Sequence, residues 1–446
     1  MVAAGLVMAL ASPASIGAQG PSRLAVPYTE FTLANGLHVI LHRDASVPIV
    51  TVNVWYHVGS GSEKPGRTGL AHLFEHLMFE GSKHVPEGSF DTWLEGAGAN
   101  NNGSTTVDRT NYYIDGPSNA LELMLFLESD RMAYLLDTMT PERVDGQRDV
   151  VKNERRQGIE NRPYGLPELE LDSMLFPPGH PYSWSTIGSM DDLTAASHED
   201  VQEFFRLYYA PNNASLVVAG DIDIEATKAL VEKWFAEVPR GKPVPPVAPP
   251  AAMLTEVTRK TMTDKVQLPR LYLGWLTPAT YRPGDAALDI VASLLTGGKN
   301  SRLYKRLVYD LQIAQEVYAY QQSQALGSTF FVVATARPGK SLDEIQKVID
   351  EEIDRLAATP AEPRELERVR NQIEATFLRR AERVGGMYGK ADQLNAYYTM
   401  TGTPDFFEED LSRYRALDAA DISSAVGTFL PRDRRVELIV MPEEKQ

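Results

Sequence analysis

His72 and His76 stand four residues apart with Glu75 between them, in the string His72-Leu73-Phe74-Glu75-His76. On a helix, residues i, i+3 and i+4 share a face. Two imidazoles and one acid then converge on one point. That is the donor set for a tetrahedral zinc with a general base beside it. One buried histidine is usually a satisfied core residue. Two with an acid, all on one face, are harder to explain that way.

The flanking residues predict the helix. Leu70, Leu73, Phe74, Leu77 and Met78 fall at i, i+3, i+4, i+7 and i+8, an apolar stripe. Thr68 is placed to act as N-cap, and Gly81 to act as the C′ glycine. At about 100° per residue, His72, Glu75 and His76 lie opposite the stripe. One face therefore docks on a core and the other looks into a cleft.

The chain around this helix has 446 residues, enough for two or three domains. It is 43% hydrophobic and 23% charged, a globular composition. A net charge of −16 argues against nucleic acid or an anionic membrane surface as main partner. There is no cysteine, so thiolate zinc sites, disulfides and cysteine nucleophiles are excluded. Any zinc must be held by histidine and carboxylate. Residues 1–18 are small and apolar and end in Ser15-Ile16-Gly17-Ala18, like an export signal without its basic start; the alternative is a disordered tail. Export predicts a periplasmic or secreted bacterial protein rather than a cytoplasmic one. No segment is long and apolar enough to span a membrane.

Strands are expected at 31–33 and 37–41 around an Asn35-Gly36 turn, then at 49–55 and 111–114. Helices are expected near 118–136 and 141–157, then a strand at 216–219 and a helix near 224–236. Residues 239–252 form a proline-rich linker. Beyond it the pattern returns: a strand at 270–275, helices near 283–296 and 300–311 around Gly297-Gly298, and a strand at 436–440. The expected fold is α+β, with two topologically related domains at 25–238 and 253–446.

Two histidines do not complete a catalytic zinc site, which normally takes three protein ligands and a water. Thr140-Pro141-Glu142 is a strong helix start. On that helix Gln147, Val150, Val151 and Glu154 share a side. Glu154 is thus an acid on an apolar face, costly unless paired or metal-bound. A salt bridge to a core arginine is the competing reading.

With His72-x-x-Glu75-His76 and Val150-Val151-Lys152-Asn153-Glu154 in place, the chain resembles the pitrilysin/insulinase (inverzincin) family of zinc metallopeptidases, which includes mitochondrial processing peptidase. The family draws its third ligand from a glutamate roughly 75–80 residues past the H-x-x-E-H string; Glu154 lies 78 past His76. The resemblance implies one zinc per chain on His72, His76 and Glu154, with Glu75 as catalytic base. It implies two α+β domains forming half of a clam-shell chamber, as in mitochondrial processing peptidase. It also implies that the segment holding Asn102, Gly103 and Ser104 is an edge strand that pairs with peptide substrate.

Two departures stand out. Position 147 is glutamine where a second glutamate often stands. In the second half, active members carry an arginine and, seven residues later, a tyrosine. In the natural register those places are Val308 and Gln315; Arg302 and Tyr309 have the separation only after a six-residue shift. The sequence therefore predicts a zinc endopeptidase subunit for peptides or small unfolded proteins. Its expected partner is a related non-zinc subunit that carries the Arg/Tyr pair. A homodimeric processing peptidase with a dedicated client, and a non-catalytic structural core subunit, are the alternatives.

Overall fold

The computed structural model describes residues 24–443; the expected export signal at 1–18 lies outside them. The first half contributes strands β1 (Thr29–Thr32), β2 (His38–Arg43), β3 (Ile49–Tyr56), β4 (Asn100–Thr105), β5 (Thr110–Pro117) and β6 (Ala214–Gly220). They form one sheet in the order β1-β2-β6-β3-β5-β4. The helices that matter for the cleft are α1 (Leu70–Leu77), α2 (Ser89–Gly96), α3 (Leu121–Tyr134), α4 (Pro141–Arg155) and α5 (Gly165–Leu175).

The second half repeats this plan. Strands β7 (Thr258–Asp264), β8 (Arg270–Thr277), β9 (Ala314–Gln322), β10 (Ser328–Ala336) and β11 (Val436–Pro442) order as β7-β11-β8-β10-β9. β2 is parallel to β6, as β7 is to β11. β3 is antiparallel to β5 and β6, as β8 is to β10 and β11. The fold is thus two related α+β units. The proline-rich stretch lies between the helix that ends at Phe235 and the strand that starts at Thr258.

The central strands are apolar on both faces, because both faces are covered. On β6, Leu216 and Val218 enter the core shared with α1 and α3, while Val217 and Ala219 point the other way. What covers that other face comes from the second half: Ala391, Leu394 and Tyr397 of helix Lys390–Thr401. The reverse also holds. Leu171 and Leu175 of α5 pack on Phe331, Val333, Val436 and Leu438 of the second sheet. Each half lends a helix to the sheet of the other.

Local expectations fare unevenly. Thr140 caps α4 as expected, accepting from Arg143 N. Helix 300–311 is instead a seven-residue π-helical stretch, Tyr304–Asp310. Sequence periodicity does not register such a widened turn.

Three carboxyls are forced far above their usual range, chiefly by burial: Glu63 to about 8, and Asp172 and Asp289 to about 7. Unfolded, they release protons near pH 4. Between that pH and 7–8 the folded chain holds protons that the unfolded chain has lost, so stability falls as pH rises. Burial lowers His57 to about 4, which acts oppositely, but only below about pH 6.5. The metal-free protein should therefore lose on the order of 2 kcal/mol between pH 6.5 and 8.5. Denaturant titrations at the two pH values measure this, and the Asp172→Asn/Asp289→Asn double variant should show a shallower slope.

Candidate metal centre

Helix α1 has eight residues, and five of them (Leu70, Ala71, Leu73, Phe74, Leu77) are buried. The Phe74 ring packs among Phe204, Phe205 and Tyr209, and its carbonyl accepts from Tyr112 Oη at 3.1 Å. His72, Glu75 and His76 occupy the opposite, half-buried face. The expected caps are different. Gly69, in the left-handed region at φ 92°, is the N-cap. Thr68 instead donates its hydroxyl to Asp192 at 2.6 Å. The helix ends at Met78, so Gly81 is too late to be its C′ residue, although it also has positive φ.

Helix α4 crosses beside α1. Gln147, Val151 and Glu154 make up its inward line: Val151 is fully buried, and Gln147 Nε2 donates to Glu80 Oε1 at 2.6 Å. Val150 turns outward at 39% exposure, and the Glu154 side chain is 45% exposed. Glu154 is therefore not an acid on an apolar face. It reaches the two histidines from the rim of the cleft.

There Glu154 Oε2 lies 3.2 Å from His76 Nε2 and 3.7 Å from His72 Nε2. The two rings stand edge to face, with centroids 4.9 Å apart. One ligand atom from each of the three residues lies within 4.8 Å of the others, and among the described residues this is the one such cluster. Tetrahedral bonds of about 2.0–2.2 Å put ligand atoms roughly 3.4 Å apart, so small side-chain adjustments would close the site on zinc. Burial, then the neighbouring His76, lowers His72 to about 4. Its ring is thus neutral at physiological pH, as a metal ligand must be. The donor set fits zinc.

Glu75 projects between this cluster and β4. Thr105 Oγ1 donates to Glu75 Oε2 at 2.6 Å. Burial raises the Glu75 carboxyl, and the Thr105 bond opposes that rise. β4 passes close enough that a Cβ on Gly103 would meet the Tyr112 ring at 3.2 Å and Glu75 Cγ at 3.3 Å. β4 is the outermost strand, paired only with β5 through Asn102–Tyr113, Gly103–Tyr112 and Ser104–Asn111. Among the described residues its other edge is unpaired. Ser104 is a fixed point: its carbonyl and hydroxyl accept from Arg109 Nη1 at 2.7 and 2.6 Å. Thr105 and Arg109 are functional candidates that sequence reasoning missed. Thr105 was accessible from strand period, since it shares a face with Gly103.

Residues 38–169 match the family model described as Insulinase (Peptidase family M16), and residues 195–373 the one described as Peptidase M16 inactive domain. The zinc protease PqqE of Helicobacter pylori is 30% identical over 379 residues, which cover 82% of this chain and 83% of that protein. The chain belongs to peptidase family M16, the insulinase family. A crystal structure of a protease from Helicobacter pylori matches with a TM-score of 0.87 and 26% identity, over 94% of this chain and 100% of that one. The periplasmic protease PqqL from Escherichia coli shares the fold, with a TM-score of 0.75 at 19% identity. That match covers 95% of this chain but 48% of PqqL.

The two places where the sequence lacks an arginine and a tyrosine lie in the second half. Position 308 is a half-buried valine, and Gln315 is exposed on β9. Arg302 is held by both oxygens of Glu365, at 2.9 and 2.8 Å. Tyr309 is 73% exposed.

Replacing Glu154 by glutamine should weaken zinc binding by more than roughly 100-fold, beyond the 10–100-fold typical of an outer-shell change. Zinc competition with a chromophoric chelator measures it; wild-type affinity would remove Glu154 from the ligand set.

Proposed function

We propose that this chain is the zinc-bearing subunit of a zinc-dependent endopeptidase acting on peptides or small unfolded proteins in a closed chamber. The observation that carries the reading is the convergence of His72, His76 and Glu154 beside Glu75, under an unpaired strand edge. His72, His76 and Glu154 would hold one zinc per chain. Bound there, zinc supplies Lewis acidity that acidifies a water and polarises the scissile carbonyl. Glu75 is the base: one carboxylate oxygen takes the proton from the attacking water and later gives it to the leaving amide nitrogen. The Thr105 hydroxyl on Oε2 fixes the carboxylate and leaves Oε1 for the water. Residues Asn102, Gly103 and Ser104 hold the peptide extended along β4 by main-chain pairing. The absence of a side chain at Gly103 lets that backbone lie against Glu75.

Completion of the site by a second chain is supported by Val308 and Gln315 in the arginine and tyrosine places, and by the engagement of Arg302 with Glu365. The match to about half of PqqL agrees with a half-chamber. The preferred partner is a related non-zinc subunit; an active homodimer with a dedicated client is the second reading. The complete His/His/Glu set weighs against a purely structural subunit. We propose folding units at 25–238 and 253–446, joined by the linker 239–252, and export to the periplasm or outside. No helix among the described residues is long and apolar enough to cross a membrane.

Glu75→Gln should retain one zinc per chain while peptide hydrolysis by the assembled enzyme falls by about 10²–10⁴-fold. Metal analysis and cleavage of a quenched fluorescent peptide read the two quantities separately. Undiminished cleavage would refute the base. Full activity of the purified chain at dilutions where it is monomeric would refute the need for a second subunit.

A further inference from the structure

Zinc-helix α1 begins abruptly, on a glycine that has no side chain to cap it. The first N–H groups of any helix lack internal partners. Here they are met from outside the helix. Glu63 Oε2 accepts from Gly69 N at 2.9 Å, and Oε1 accepts from Ala71 N at 2.8 Å. The acid is 7% exposed, with the Trp184 side chain and Asp192 also beside it. A buried carboxyl held by hydrogen bonds alone is an expensive way to cap a helix, since serine or asparagine at the N-cap would serve. Both oxygens are engaged, and the residue after Ala71 is His72.

We propose that Glu63 is a positioning residue for the metal centre, its two oxygens fixing the first turn of α1 and with it the His72 ligand. The proposal rests on the zinc reading of His72, His76 and Glu154.

Two further observations support it. First, the same turn is tied to the other ligand helix. Gly188 backs directly onto Gly69, where any Cβ would meet backbone at 2.4 Å. The Gly188 carbonyl accepts from the Arg155 guanidinium, one residue past Glu154. The Glu63 cap, the Gly69–Gly188 contact and the Arg155 bond thus form one circuit from His72 to the neighbour of Glu154. Second, the repeat within the chain supplies a control. Helix Asp285–Thr296 also starts after a left-handed glycine, Gly284 at φ 101°. Six residues before Gly284, where Glu63 stands relative to Gly69, the chain has Pro278. That helix has Ala287, Ile290 and Val291 where α1 has His72, Glu75 and His76. The Glu63 carboxyl accompanies the ligands, and helix Asp285–Thr296 has neither it nor them at the matching places.

The test uses the full chain with Glu63→Gln and Glu63→Asp. Glu63→Gln keeps the shape but leaves one oxygen acceptor. Zinc affinity is measured by chelator competition, and ligand geometry from the visible spectrum after cobalt substitution. The expected result for Glu63→Gln is a 10–100-fold loss of zinc affinity, the range of outer-shell changes, with an altered cobalt spectrum. In the assembled enzyme, kcat should fall with KM little changed. Glu63→Asp should recover part of each loss. A folded Glu63→Gln chain with wild-type zinc affinity and cobalt spectrum overturns the proposal. If Glu63→Gln does not fold, Glu63→Asp decides alone: its short carboxylate must shift affinity and spectrum, and wild-type values overturn the proposal. A wild-type chain that binds no zinc refutes the underlying reading of the site instead.

Discussion

Eight residues are too few to hold an α-helix in water, because nucleation is not repaid over so short a run. Helix α1 therefore exists only through what it buries and what caps it. Its five buried apolar side chains are worth at most roughly 10 kcal/mol on transfer scales. That burial also fixes rotation about the helix axis. With Phe74 wedged among three aromatic rings, His72, Glu75 and His76 can face only the cleft. The apolar side of α1 is the reason its polar side has a geometry.

The sheet behind α1 depends in turn on the far half of the chain. Its second face is closed by helix Lys390–Thr401, which brings polar anchors as well as apolar ones. Asp392 Oδ1 accepts from Trp55 Nε1 at 2.8 Å and from Asn111 Nδ2 at 2.9 Å. Asn111 Oδ1 accepts from Arg109 Nη1, which also holds Ser104. A bonded path thus runs from the second half, through the sheet, to the edge strand beside Glu75. With α5 returning the exchange on the second sheet, the halves brace one another. The linker need not set their relation.

What could be read from sequence follows how local each feature is. The stripe Leu70–Met78 and the opposed polar trio are legible because helical period is a property of a few adjacent residues. The caps of α1 are not, because Asp192 comes from far along the chain and Glu63 reaches the helix start only through an irregular loop that periodicity does not describe. Glu154 is instructive. Periodicity assigns it to an apolar face with Val150, yet α4 buries only Val144 and Val151, too thin a stripe to fix its rotation. The structure rotates the helix so that Gln147, Val151 and Glu154 face α1, and Val150 goes to solvent. The repeat of strand order was legible; the exchange of covering helices was not, since nothing in α5 or Lys390–Thr401 says which sheet it will meet.

The two halves also differ in what they could offer a metal. Helix Asp285–Thr296 sits where α1 sits, yet nine of its twelve residues are buried, including those that match the ligands. A helix enclosed on nearly all sides has no face to offer a metal. On the partner helix, Pro363 opens the first turn as Pro141 opens α4. The place thirteen residues on, Glu154 in α4, is Thr376, whose hydroxyl donates to the Gln372 carbonyl of its own helix. The second half thus keeps the layout without the ligands. Its contribution to the cleft is support of the first sheet, through Asp392 and the apolar face of its helix. Among the described residues, the ligand cluster His72, His76 and Glu154 thus belongs to the first half alone.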